Sequence, residues 1–187
     1  MFILASNSPR RRELLSLIGI DFSIHSPDID EIRKKDEKPV DFALRMSLEK
    51  AMHVFGFHEG FDFLLSADTI VVIDDEIIGK PKGDEDAFRM IRKLSGRTHK
   101  VITAYTIMNQ RVSISEHVST EVTFKTLTDD EIARYIETGE ANDKAGAYAI
   151  QGFAAYMVES INGSYSNVVG LPLAEVYKSL EKMGYKF

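Results

Sequence analysis

Phe2-Ile3-Leu4-Ala5 is a short apolar run that breaks at once into Ser6-Asn7-Ser8-Pro9, followed by Arg10-Arg11-Arg12-Glu13-Leu14-Leu15. This order predicts a buried strand, a tight polar loop and a helix start, and so commits the chain to packing helices against a sheet. Ser8 suits the N-cap, where its hydroxyl accepts a free backbone N–H. Pro9 suits the first helical position, where a missing N–H costs nothing. The helix is expected to run to about Ile18, with Gly19 closing it in a left-handed C-cap. Free amides and the dipole at such a helix start favour an anion. The hydroxyls of Ser6 and Ser8 add donors, and Arg10 and Arg11 carry planar guanidinium forks suited to phosphate oxygens. The same residues also fit a capped surface helix with three solvated arginines.

A chain of 187 residues can bury a sizeable core as one domain, and 44% hydrophobic with 28% charged residues is ordinary for a globular protein. The net charge of -6 shows no overall basic stripe, so a broad nucleic-acid surface is not expected. Cysteine is absent, which excludes disulfides, thiolate catalysis and Cys-ligated zinc. No apolar stretch approaches the roughly 18 residues of a membrane span, and the polar residues after Ala5 give no signal-peptide order. These features fit a cytoplasmic protein.

Further along, residues 20 to 24 suit a short strand and 28 to 38 a charged loop that contains Glu31, by itself an ordinary surface carboxylate. Pro39 opens a helix in which Val40, Ala43, Leu44, Ser47, Leu48 and Ala51 recur at helical spacing, with Lys50 beside that stripe as a plain surface lysine. His53 and His58 fall in a loose segment, 53 to 62, and do not make convincing metal ligands. Asp68 interrupts the strand-like run 63 to 73; a carboxylate there is costly unless paired or ligating, which suits a metal ligand, a general base or a hydrogen-bonded core group. Asp74-Asp75 reads as a hairpin turn before Glu76-Ile77-Ile78-Gly79-Lys80-Pro81. Residues 84 to 94 form an amphipathic helix, 101 to 108 and 112 to 124 strands, and Thr128-Asp129-Asp130-Glu131 a capping box. Gly146 and Gly152 in the run from Asn142 to Gly152 permit close backbone approach or unusual dihedrals. Residues 153 to 160 are expected to be a strand, and a last helix runs from about 173 to 183. Together these elements give an α/β fold: a mixed, strongly twisted sheet with flanking helices and a cleft. No Walker A sequence, Rossmann fingerprint or nucleophile elbow is present.

The opening run Ile3 to Leu15 closely resembles the first signature of the Maf family of nucleotide pyrophosphatases, historically called septum formation inhibitors. Ala67 to Pro81 is similar to its second signature and Asn142 to Gly152 to its third, so the likeness spans nearly the whole chain. The resemblance implies one Maf/ITPase-like domain over 1 to 187, two lobes around a central nucleotide-binding cleft, and a homodimer. It implies cleavage of a nucleoside triphosphate to the monophosphate and pyrophosphate with a divalent cation, magnesium or manganese. It implies that Asp68 is the proton acceptor and that Lys50 and Lys80 face the phosphates. Ser6, Arg10, Arg11, Glu31, Thr69 and Gln151 become substrate-binding positions, and Glu31 and Asp68 metal ligands.

The form of the third run is that of the branch acting on thymidine and uridine triphosphates. Gln151 fits this choice, because its amide matches one carbonyl and the ring N–H of uracil or thymine together. Ionised glutamate would offer only acceptors, suiting guanine or its cationic methylated form. A buried unpaired base group costs about 1–3 kcal/mol, roughly a five- to hundredfold preference. Two other readings stay open at this point: a 7-methyl-GTP pyrophosphatase, and a nucleotide-binding regulator of cell division with little turnover.

Overall fold

The computed structural model describes residues 1–58 and 60–187; Glu59, inside the loose segment read between 53 and 62, lies outside the described residues. The described residues form a seven-stranded sheet. Its strands are β1 (Phe2–Ala5), β2 (Phe22–Ile24), β3 (Phe63–Ile73), β4 (Glu76–Ile78), β5 (Thr98–Met108), β6 (Ser113–Phe124) and β7 (Val158–Asn162). They lie in the order β2-β1-β3-β5-β6-β7, with β4 paired to β3. β1 is parallel to both β2 and β3, whereas β4 is antiparallel to β3 and β7 to β6, so the sheet is mixed. The helices are α1 (Pro9–Ser16), α2 (Pro39–Phe55), α3 (Asp84–Leu94), α4 (Asp129–Glu137), α5 (Tyr165–Val169) and α6 (Leu173–Lys182). Among the described residues no helix is long and apolar enough to cross a membrane.

Two compact units share this chain. The first comprises Met1–Asp68, Thr103–Val118 and Gly170–Phe187; the second comprises Thr69–Ile102 and Ser119–Val169. The core of the first gathers Ile3, Ala5, Ala51, Val54, Phe61, Leu64 and Met108. β1 is buried along its whole length, as a continuous apolar run in parallel pairing demands. The Ser8 hydroxyl accepts the Arg11 N–H at 3.4 Å and Pro9 stands in the first turn, so α1 starts where the residues direct. It ends at Ser16, two residues short of expectation, and Gly19 turns the chain beyond it at φ +72°. In α2 the buried stripe is Phe42, Ala43, Met46, Ser47, Lys50, Ala51 and Val54. It is rotated from the expected one: Leu48 faces outward and Lys50 faces inward, where two carboxylates receive it.

The second unit's core is built around Val71, Ile91, Val122, Phe124, Ile132, Tyr148 and Met157. Asp74 and Asp75 both have positive φ, 53° and 60°, the backbone pattern of a two-residue hairpin turn. α3 carries Asp84, Glu85 and Asp86 in its first turn and Arg92 and Lys93 in its last, matching the helix dipole at both ends. The capping box at α4 is complete, with Thr128 and Glu131 each satisfying the other's backbone N–H.

Residues 153 to 160 depart from the strand expectation: Phe153–Met157 is a 3-10 turn and β7 begins only at Val158. The cause is visible in burial, because Ala154 and Met157 point inward three residues apart, a helical rather than a two-residue period. α5, a five-residue helix, had no signal distinguishing it from the turn at Asn162-Gly163.

Candidate active site

The first unit assembles a charged cluster from α1, the 28–38 loop, α2 and β3. Parallel pairing places Ala5 opposite Ser66, so the end of β1, and the loop after it, lie beside the stretch of β3 leading to Asp68. Asp68 is 5% exposed and Lys50 8% exposed. Their Oδ1 and Nζ atoms are 2.6 Å apart, and the Glu31 Oε1 atom lies 2.6 Å from the same nitrogen. An ammonium with three donors is therefore held between a buried carboxylate and a more exposed one. Burying both ions of a pair is expensive in itself, so such a trio is weak evidence for stability and better evidence for chemistry.

Arg11 stands beside this cluster. Its Nε donates to the Gly170 carbonyl at 2.8 Å and one terminal nitrogen donates to the Ser6 hydroxyl at 3.2 Å. The Ser8 N–H also donates to that hydroxyl oxygen at 3.2 Å, which fixes the loop between β1 and α1. Burial lowers the Arg11 pKa, while the charges of Asp68 and Glu31 pull it upward and that of Arg10 adds to the lowering. The guanidinium remains charged. Ser6, Arg11, Glu31, Lys50 and Asp68 are thus gathered in one unit, with Arg10 half-buried on the same helix start.

Thr69, Lys80 and Gln151 belong to the second unit. Lys80 and Gln151 are exposed, and Thr69 is half-buried on β3. The run containing Gln151 is tied to the one containing Lys80, because the Gly146 N–H donates to the Gly79 carbonyl at 3.0 Å. Gly146 needs its φ of +70°, and a Cβ there would come within 2.9 Å of the Val71 side chain. Below Tyr148, the buried His99 ring meets the phenol oxygen at 2.7 Å through Nε2. Burial pushes the His99 pKa down to about 4, so the ring is neutral.

Sequence reasoning did not single out Gly170, whose carbonyl orients Arg11, nor Glu140, whose carboxylate accepts the Phe153 N–H at 2.7 Å. A backbone acceptor leaves no residue-type signal, and Glu140 reads as one more surface acid. Among the described residues no group of three or more His, Cys, Asp or Glu side chains can hold a metal ion. Glu31 and Asp68 are two carboxylates, a donor set that suits magnesium when substrate phosphates and water complete the shell.

A family model described as Maf-like protein matches residues 1–183. A dTTP/UTP pyrophosphatase of Geobacter sulfurreducens is 51% identical over 184 residues, covering 97% of this chain and 96% of its own. A dTTP/UTP pyrophosphatase of Colwellia psychrerythraea is 46% identical over 187 residues, covering 98% and 88%. Among solved structures, the Staphylococcus aureus Ham1 protein shares the fold at a TM-score of 0.51 and 11% identity, with 98% of this chain and 99% of that one covered.

Proposed function

This chain belongs to the Maf family, and we propose that it is a nucleoside triphosphate pyrophosphatase hydrolysing dTTP and UTP to the monophosphate and pyrophosphate. The observation that carries the reading is the buried Lys50 held between Asp68 and Glu31 beside Arg11, in a chain related end to end to enzymes of that name. A binding protein needs cations for phosphate but has no use for a buried carboxylate beside them. A hydrolase does, because water must be oriented and relieved of a proton.

In this reading Asp68 orients the attacking water and accepts its proton. Lys50 holds the Asp68 carboxylate in place and, with Arg10, Arg11 and Lys80, offsets charge on the phosphates and the leaving pyrophosphate. The Ser6 hydroxyl accepts from Arg11 and from the Ser8 N–H, so its own proton is free to point at a phosphate oxygen. Thr69 and Gln151 are assigned to the nucleoside, with the Gln151 amide reading one carbonyl and the ring N–H of the pyrimidine. Glu31 and Asp68 would hold a divalent cation, magnesium or manganese, which supplies charge neutralisation at the phosphates and a lowered pKa for water. A homodimer in the cytoplasm belongs to the same proposal, supported by family resemblance and by the lack of cysteine.

Phosphorus NMR of the products tests the bond cleaved. Monophosphate with pyrophosphate is expected; diphosphate with orthophosphate overturns the assignment. A panel of nucleoside triphosphates compared by kcat/KM tests the base, and a clear preference for 7-methyl-GTP over UTP and dTTP removes the Gln151 argument. Tight binding without metal-dependent product would instead favour a regulator.

A further inference from the structure

The second unit holds Gln151 by a set of contacts in which Glu140 has a distinct part. Gln151 is exposed and sits between half-buried Ile150 and Gly152. Its turn is closed by a Gly152 N–H to Ala149 carbonyl bond of 3.1 Å. On the far side, the Glu140 Oε2 atom accepts the Phe153 N–H at 2.7 Å. A Cβ built on Gly152 would collide with the same carboxylate. The backbone of Gly152, at φ −124° and ψ −154°, is extended and open to any residue. Glycine therefore serves here by leaving space and not by its conformation, and Glu140 fills that space. The other carboxylate oxygen, Oε1, is buried and finds no hydrogen-bond donor among the described residues. A buried, half-satisfied acceptor is a cost that the fold bears for a reason.

The upstream side of the turn is secured independently. The Tyr135 hydroxyl donates to the Ala147 carbonyl at 3.0 Å, and Tyr148 rests on His99. Those contacts end three residues before Gln151. On its downstream side the backbone is held by the Glu140 carboxylate, through the Phe153 N–H.

We infer that Glu140 is a positioning residue for nucleobase choice: its carboxylate, admitted by Gly152, sets the turn that presents Gln151. The inference rests on the proposed role of Gln151. Glu140 touches no substrate, so its removal should loosen discrimination more than turnover.

The test compares kcat and KM for UTP and CTP in the full-length protein and in Glu140→Ala, Glu140→Gln, Gly152→Ala and Gln151→Ala, with thermal melts alongside. Glu140→Ala should lower the UTP-to-CTP ratio of kcat/KM by about tenfold, through KM for UTP, with kcat within about threefold. Glu140→Gln keeps a carbonyl acceptor for the Phe153 N–H and should hold the ratio within about threefold of the parent. Gly152→Ala displaces the carboxylate sterically and should reproduce Glu140→Ala, and it carries the test alone if that variant does not fold. Adding Glu140→Ala to Gln151→Ala should change the ratio no further. A lowered melting temperature with an unchanged ratio, in either Glu140→Ala or Gly152→Ala, overturns the inference, as does a loss that adds to that of Gln151→Ala. If Gln151→Ala itself leaves the ratio unchanged, the base-reading assignment falls and this inference falls with it. A ratio that collapses in Gln151→Ala but survives in Glu140→Ala removes only the role of Glu140.

Discussion

Lys50 and Asp68 meet at 2.6 Å with both side chains buried, and Glu31 approaches the same ammonium at the same distance. A lysine shared in this way cannot be removed without stranding charge. Lys50→Met should destabilise the protein by about 3–5 kcal/mol, because a buried carboxylate loses its counter-cation. Adding Asp68→Asn should recover part of that loss, since the stranded charge is gone. Neither variant should hydrolyse nucleotide. Urea denaturation read beside turnover separates the two effects, and Asp68→Asn alone should keep the fold while losing most turnover.

Arg11→Lys should retain the charge and lose the geometry. One ammonium cannot replace a planar fork that reaches the Gly170 carbonyl and the Ser6 hydroxyl together, the geometry on which its proposed role toward phosphate rests. We expect kcat/KM to fall by about tenfold or more, the scale of one charge-assisted hydrogen bond. A rate close to that of the parent enzyme would show that position 11 needs only a charge.

Gly146→Ala should destabilise the second unit by about 1–3 kcal/mol, from positive φ and from crowding against a β-branched side chain. The φ is +70°, and the crowding partner is Val71. Chemical denaturation checks it. Gly139→Ala, at φ +72° with open space around the Cβ, serves as a control for the φ contribution alone.

His99 makes stability depend on pH. Its folded pKa of about 4 lies below the ordinary value of 6.5, because burial penalises the charged ring. Between those values the unfolded chain binds the extra proton, so stability is complete above pH 6.5 and is lost as pH falls toward 4. The span amounts to about 3 kcal/mol. Glu37, held down to about 2 by its hydrogen bond with Arg45, contributes only as pH falls below its ordinary value of 4.5, so it overlaps only the acid end of this window. Urea midpoints measured from pH 7 to 5 should decline, and His99→Gln should flatten the decline.

Chelation should stop product formation, and added magnesium should restore it, if Glu31 and Asp68 act as proposed. Glu31→Gln should raise the magnesium concentration needed for half-maximal rate. An unchanged metal requirement would release Glu31 from that role.

Where structure is set by neighbours in the chain, the residues announced it. Ser8 and Pro9 start α1, Thr128 and Glu131 box the start of α4, and the two aspartates at 74 and 75 turn a hairpin, all through interactions that span a few residues. Residues 153 to 160 misled because Phe-Ala-Ala-Tyr-Met is apolar at both two- and three-residue spacings, and only the surrounding core chooses between them. Family resemblance singled out Lys50, but its burial was not legible. Its burial depends on Glu31 and Asp68, 19 and 18 positions away, which no helical period reveals. Glu140 and Gly170 were invisible for a related reason: one acts on a backbone N–H, the other through a backbone carbonyl.

Arg11 leans on Gly170, a partner 159 residues further along the chain. The stretch Gly170–Phe187 is also the last piece of the first unit, after the whole second unit has been threaded between. A ribosome therefore releases β1 and α1 long before the carbonyl that aims their arginine exists. The growing chain carries the loop between β1 and α1 unfinished, and the guanidinium takes its final bearing only when synthesis has passed residue 170.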